Sequence, residues 1–105
     1  MEIRRSTYFV LAALLDGPLH GYAIIKRANE LSGGEVRLST GTLFGALDRL
    51  VESGLVQAGE EEKVEGRVRR AYTLTQNGQA ALTAEAKSLR RAARVVEVRV
   101  ARAAS

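Results

Sequence analysis

A chain of 105 residues, 46% apolar and 27% charged, has room for one small domain with at most an appended element. Having no cysteine, it excludes disulfides, thiol redox sensing and cysteine-held metals, and is compatible with the cytosol. The formal charge is +4, but from Gln79 onward six bases face two acids while residues 1–78 sum to zero, so overall basicity marks no nucleic-acid surface.

The start, MEIRRSTYFVLAALLDG, sets two arginines before an apolar run. That run, Tyr8 to Leu15, is short, and Asp16-Gly17-Pro18 stands where a signal peptidase would need small residues. The expectation is a buried helix from about Thr7 to Leu15, capped by Ser6, with Tyr8, Leu11, Ala12 and Leu15 on one face. A turn at Asp16-Gly17-Pro18 leads to a second helix from about Gly21 to Leu31, with Tyr22, Ile25, Ala28 and Leu31 as its apolar stripe. Ser32-Gly33-Gly34 stops it, EVRL follows as a short extended piece, and Ser39 or Thr40 caps a third helix. There Leu43, Ala46, Leu47, Leu50 and Val51 point inward, and Gly54 stands at the C-terminal cap.

Two strands follow, LVQAGE and VRRAYTLT, joined by the charged connection EEKVEG. Alternation sets Val68, Arg70, Tyr72 and Leu74 on one side, and Asn77-Gly78 breaks the strand before the last helix. In that helix Leu82, Ala86, Leu89, Ala93, Val96, Val100 and Ala103 recur in steps of four and three, a heptad seam kept over three repeats. A protruding helix with such a stripe packs against a second copy of the chain, giving a two-fold dimer. Folding back on its own domain is the alternative. A membrane-surface role is disfavoured because three of the seven seam residues are alanine and none is aromatic.

The fold class read from this order is mainly α with a small β-hairpin: a winged helix-turn-helix over residues 1–77 and a C-terminal dimerisation helix over 78–105. The stretch LSTGTLF then acquires a reason. A recognition helix brings its first turns against DNA, where the small residues Gly41 and Gly45 give clearance and Ser39, Thr40 and Thr42 offer hydroxyls. Lys63, Arg67, Arg69 and Arg70 are candidate wing contacts, with Glu60, Glu61, Glu62 and Glu65 arguing against them from the same loop. His20, the sole histidine, suits a local structural hydrogen bond. No metal set, nucleophile elbow or nucleotide-binding glycine motif occurs, so neither catalysis nor a cofactor is expected.

Three segments carry a family resemblance: LAALLDGPLHGYAI at 11–24, LSTGTLFGALDRLVESGLV at 38–56, and GRVRRAYTLTQNGQAAL at 66–82. Together they resemble the PadR family of transcriptional regulators, in its small type with one helix after the wing. The resemblance implies a cytoplasmic, homodimeric DNA-binding repressor whose C-terminal helix packs on the first helix of its partner. It implies DNA contacts from Ser39, Thr40, Gly41, Thr42, Phe44 and the wing arginines, and a phosphate contact from Tyr22, which periodicity places in the core. The family usually carries tyrosine where this chain has Phe44, a ring that cannot donate a hydrogen bond to phosphate. The resemblance further implies release by a small hydrophobic or aromatic effector between subunits, where Tyr8, Phe9 and Val96 are the candidate lining. The rival readings are a winged-helix module that binds a protein and no DNA, and a small-molecule scaffold with a vestigial wing.

Overall fold

The computed structural model describes residues 2–104. In chain order it has α1 (Arg5–Ala13), β1 (Leu19–His20), α2 (Gly21–Leu31), α3 (Thr40–Glu52), β2 (Val56–Val64), β3 (Arg67–Leu74) and α4 (Gln76–Ala104). One apolar core joins them, centred on Val10, Leu11, Ile24, Leu43, Leu47 and Leu50, with Val56, Tyr72 and Leu82 closing it from the sheet and α4.

The helices keep their expected order but shift or rotate. α1 begins two residues before the expected start, with Arg4 and not Ser6 at its N-cap, and ends at Ala13. The inward residues are Val10, Leu11, Ala13 and Leu14, while Leu15 is 53% exposed, because the chain leaves the helix before Leu15 can face in. The limits of α2 match the expectation, yet its buried residues are Gly21, Ile24 and Ala28, and Tyr22 is 64% exposed. The cause is Gly21: the Phe44 ring packs so close that a Cβ at Gly21 would stand 2.6 Å from Phe44 Cζ. That contact turns the Gly21–Ile24–Ala28 face inward and Tyr22 outward, which corrects the core reading of Tyr22.

The connection from α2 to α3 is tied down by side chains. Val36 N–H donates to Ser32 Oγ at 2.8 Å and Asn29 Nδ2 donates to the Val36 carbonyl at 3.2 Å. These bonds hold EVRL in place without a strand partner. α3 buries Leu43, Ala46, Leu47 and Leu50, leaving Val51 37% exposed at the edge of the face. Gly54, at φ +77°, ends it: Leu55 N–H donates back to the Leu50 carbonyl at 2.9 Å, the left-handed closure that glycine permits.

The sheet has three strands, in the order β1-β3-β2. The sequence reading missed β1, which is two residues long and exists only by pairing Leu19 with Tyr72 and His20 with Ala71, far along the chain. The charged segment expected as a loop is mostly strand, since β2 runs to Val64 and only Glu65-Gly66 turns. Both turn residues have positive φ, +51° and +77°, the two-residue geometry that matches strand twist. The register slips by one between Ala58 and Glu61. Glu61 and Lys63 thereby join the face of Val56 and Ala58, opposite Arg70 and Val68, a switch that simple alternation does not foresee.

Thr75 starts α4: its hydroxyl accepts from Gly78 N–H at 3.0 Å and donates to the Gly54 carbonyl at 2.7 Å. Asn77-Gly78 therefore lies inside the first turn of α4 and breaks nothing. Gly78 is buried, and a Cβ there would overlap the Leu55 carbonyl oxygen. The helix runs 29 residues, and the molecule extends 63 Å along its longest axis against 26 and 21 Å across.

Candidate nucleic-acid interface

At the N-terminus of α3, Ser39 is the cap. Its Oγ accepts from Thr42 N–H at 3.2 Å and lies 2.9 Å from Thr42 Oγ1, to which it donates. Ser39 is thus engaged, whereas the Thr42 hydroxyl accepts one bond and keeps its own proton to donate outward. Thr40, Gly41, Thr42 and Phe44 are all exposed. Among the described residues no atom lies within 4 Å of a Cβ placed on Gly41, and at Gly45 the nearest is Arg49 Nη1 at 3.6 Å. Neither glycine adopts positive φ. The fold therefore asks for glycine at neither position, although each weakens the helix by roughly 0.5–1 kcal/mol relative to alanine.

The structure brings Tyr22 and Phe44 together with the wing. A groove of about 340 Å³ runs between the start of α2, Phe44 and the face of β3, lined also by Glu61, Val68, Arg69, Arg70 and Tyr72. Burial raises the Tyr72 hydroxyl above its ordinary pKa; the Arg70 charge opposes that and Asp48 adds to it. Tyr22 exposes its ring at the groove edge, in keeping with the phosphate contact that the resemblance implies.

The four wing bases have different surroundings. Arg70 is paired with Glu61 across the strands at 2.9 Å, and its Nε is buried without a partner, so its charge is already half answered. Arg69 stands opposite Glu62, Lys63 opposite Val68, and Arg67 at the hairpin tip opposite Val64. Arg67 and Lys63 are exposed and Arg69 is half-buried. Among the described residues none of these three takes part in an ion pair.

Elsewhere, His20 Nε2 is buried with no hydrogen-bond partner, so that atom does not make the local bond expected of it. No group of three metal-ligating side chains occurs among the described residues. Tyr8 and Phe9 meet edge to face, ring centroids 5.3 Å apart. They line a groove of about 390 Å³ with Ile3, Arg5, Glu85, Leu89 and Ala93, and Val96 lies outside it. Of the seam, Leu82 is 5% exposed and belongs to the chain's own core, and Ala86 is half-buried. From Leu89 onward every residue through Ala104 is exposed, including Ala93, Val96 and Val100.

The chain is similar to known proteins. The model of the transcriptional regulator PadR-like family matches residues 10–84. An uncharacterised 37.1 kDa protein of transposon TN4556 from Streptomyces fradiae is 44% identical over 91 residues, which cover 87% of this chain and 25% of that protein. The chain thus spans a quarter of that relative's length. A transcriptional regulator of Mycobacterium tuberculosis is 39% identical over 87 residues, 83% of this chain and 78% of its own. Among solved structures, a PadR family transcription regulator from Clostridium difficile superposes with a TM-score of 0.73 at 23% identity, covering 88% of this chain and 94% of that one. PadR of Bacillus subtilis, solved in complex with operator DNA, gives 0.66 at 25% identity, over 76% of this chain and 46% of that one. With the family model spanning most of the winged helix and its flanks, the chain belongs to the PadR-like family of transcriptional regulators.

Proposed function

We propose that the chain is a sequence-specific DNA-binding repressor that works in the cytoplasm as a homodimer on a pseudo-palindromic operator, and leaves it when a small hydrophobic or aromatic effector binds. The observation that carries this is the N-terminus of α3: an exposed, small, hydroxyl-bearing surface with two glycines that nothing inside the fold requires. Thr40, Gly41 and Thr42 would meet the major groove, and Tyr22 with Arg67 and Arg69 the flanking phosphates. The operator complex of the B. subtilis relative supports the same mode of use. The uncovered seam from Leu89 to Val100 supports a dimer, with half-sites about one helical turn, roughly 10 bp, apart or a multiple of it. The Tyr8–Phe9 groove beside Leu89 and Ala93 is where the effector would sit. No catalytic step enters this reading.

The neutral balance of residues 1–78 favours the second reading, a module that docks a protein and no DNA. One experiment separates the two: binding to the DNA upstream of the protein's own gene, at two salt concentrations, against excess random duplex. A complex that survives competitor and weakens with salt is expected. Absence of binding even at low salt would overturn the repressor reading and leave the protein-docking one.

A further inference from the structure

Within the DNA-binding reading, on which this rests, we infer that Arg49, laid back along α3 over Gly45, reads a base edge in the major groove. The inward face of α3 is Leu43, Ala46, Leu47 and Leu50. Helical spacing sets Gly41, Gly45, Asp48 and Glu52 along the opposite face, with Thr42 and Arg49, seven residues apart, on one flank of it. Arg49 Nη1 is 3.6 Å from the Cβ position of Gly45, which precedes it by four residues. The guanidinium is therefore folded back a full turn, along the helix surface toward its N-terminus.

That placement solves an electrostatic conflict. Asp48 and Glu52 make the far half of the outward face acidic, so only the first turns can approach a polyanion. A guanidinium level with its own Cα would stand beside those carboxylates. Lying over Gly45, it joins the end that approaches, on the flank that carries Thr42. It is exposed and takes part in none of the ion pairs found among the described residues, so its donors are free. A planar fork with unengaged donors suits paired acceptors on one base, as guanine O6 and N7 present them.

The test uses an operator selected from a random duplex library by the full chain, and every single-base change of it. Arg49→Ala is expected to weaken operator binding roughly ten- to hundredfold, to abolish preference at one base pair in each half-site, and to leave random-duplex affinity and salt slope nearly unchanged. Arg49→Lys keeps the charge without the fork, and should recover none of that preference. A uniform loss across sequences, with the salt slope reduced by about one, would make Arg49 a phosphate contact and overturn the inference. So would unchanged binding, with far-ultraviolet dichroism confirming that the variant is folded. A wild-type chain that selects no operator would instead bring down the DNA-binding reading itself, before any substitution is made.

Discussion

Glycines 41 and 78 both sit in the first turn of a helix, yet they answer to opposite demands. Around Gly41 there is open space; against Gly78 lie the Leu55 carbonyl and, at 2.7 Å from a built Cβ, Leu74 Cδ1. Gly41→Ala should therefore raise stability by about 0.5–1 kcal/mol, since only helix propensity changes. If α3 enters a groove, the same methyl group lowers operator affinity, so melting temperature and binding move in opposite directions. Thermal unfolding beside an operator titration reads both. A Gly41→Ala variant that bound DNA as well as the wild type would remove clearance as the reason for the glycine. Gly78→Ala has nowhere to place its Cβ, and the Thr75 bond that starts α4 would be displaced with it. It should lose about 1–3 kcal/mol in urea unfolding. One residue type, in two surroundings, gives opposite signs.

Among the elements, the wing holds the sharpest balance of charge. Glu61 answers Arg70 at 2.9 Å, with side-chain exposures of 63% and 41%. A pair this exposed adds little to stability, about 0–1 kcal/mol. Glu61→Gln should therefore leave unfolding nearly unchanged while releasing a positive charge beside the groove. The expected result is tighter DNA binding with a salt slope steeper by about one; an unchanged slope would mean that Arg70 never meets phosphate. This pairing was hidden in the sequence because the slip between Ala58 and Glu61 exchanges the faces of β2, and a bulge of one residue leaves no mark on alternation. Local signals were readable where local chemistry decides: Ser32-Gly33-Gly34 ended α2, and Gly54 ended α3, as expected. They failed where a distant partner decides. β1 exists only against Tyr72 and Ala71, and Gly78 was read as a breaker because its neighbour Leu55 lies 23 residues away in sequence. At the interface, the sequence could nominate Thr42 and the wing arginines by type, but not the backward fold of Arg49 or the pairing of Arg70.

At the scale of the whole molecule the surface exceeds that of a compact chain of the same mass. A compact monomer of 11.4 kDa would expose about 5,800 Å². This one exposes 7381 Å², an excess of roughly 1,600 Å², and a typical stable interface hides about 800 Å² per partner. The last 16 residues of α4, Leu89 to Ala104, are exposed throughout. Helical stability in proteins comes chiefly from packing of an apolar face, so covering the exposed stripe would stabilise this segment. In the proposed dimer a second copy lies on Leu89, Ala93, Val96 and Val100. Val96 is 61% exposed in the single chain, so Val96→Glu should leave the winged helix intact while burying an unpaired charge in a dimer. Sedimentation equilibrium should then give twice 11.4 kDa for the wild type and 11.4 kDa for the variant. Far-ultraviolet helicity should fall on dilution of the wild type, and be low at every concentration for Val96→Glu. A variant still dimeric, with undiminished helicity, would mean that the seam faces no partner, and would remove the support it gives to a two-half-site operator.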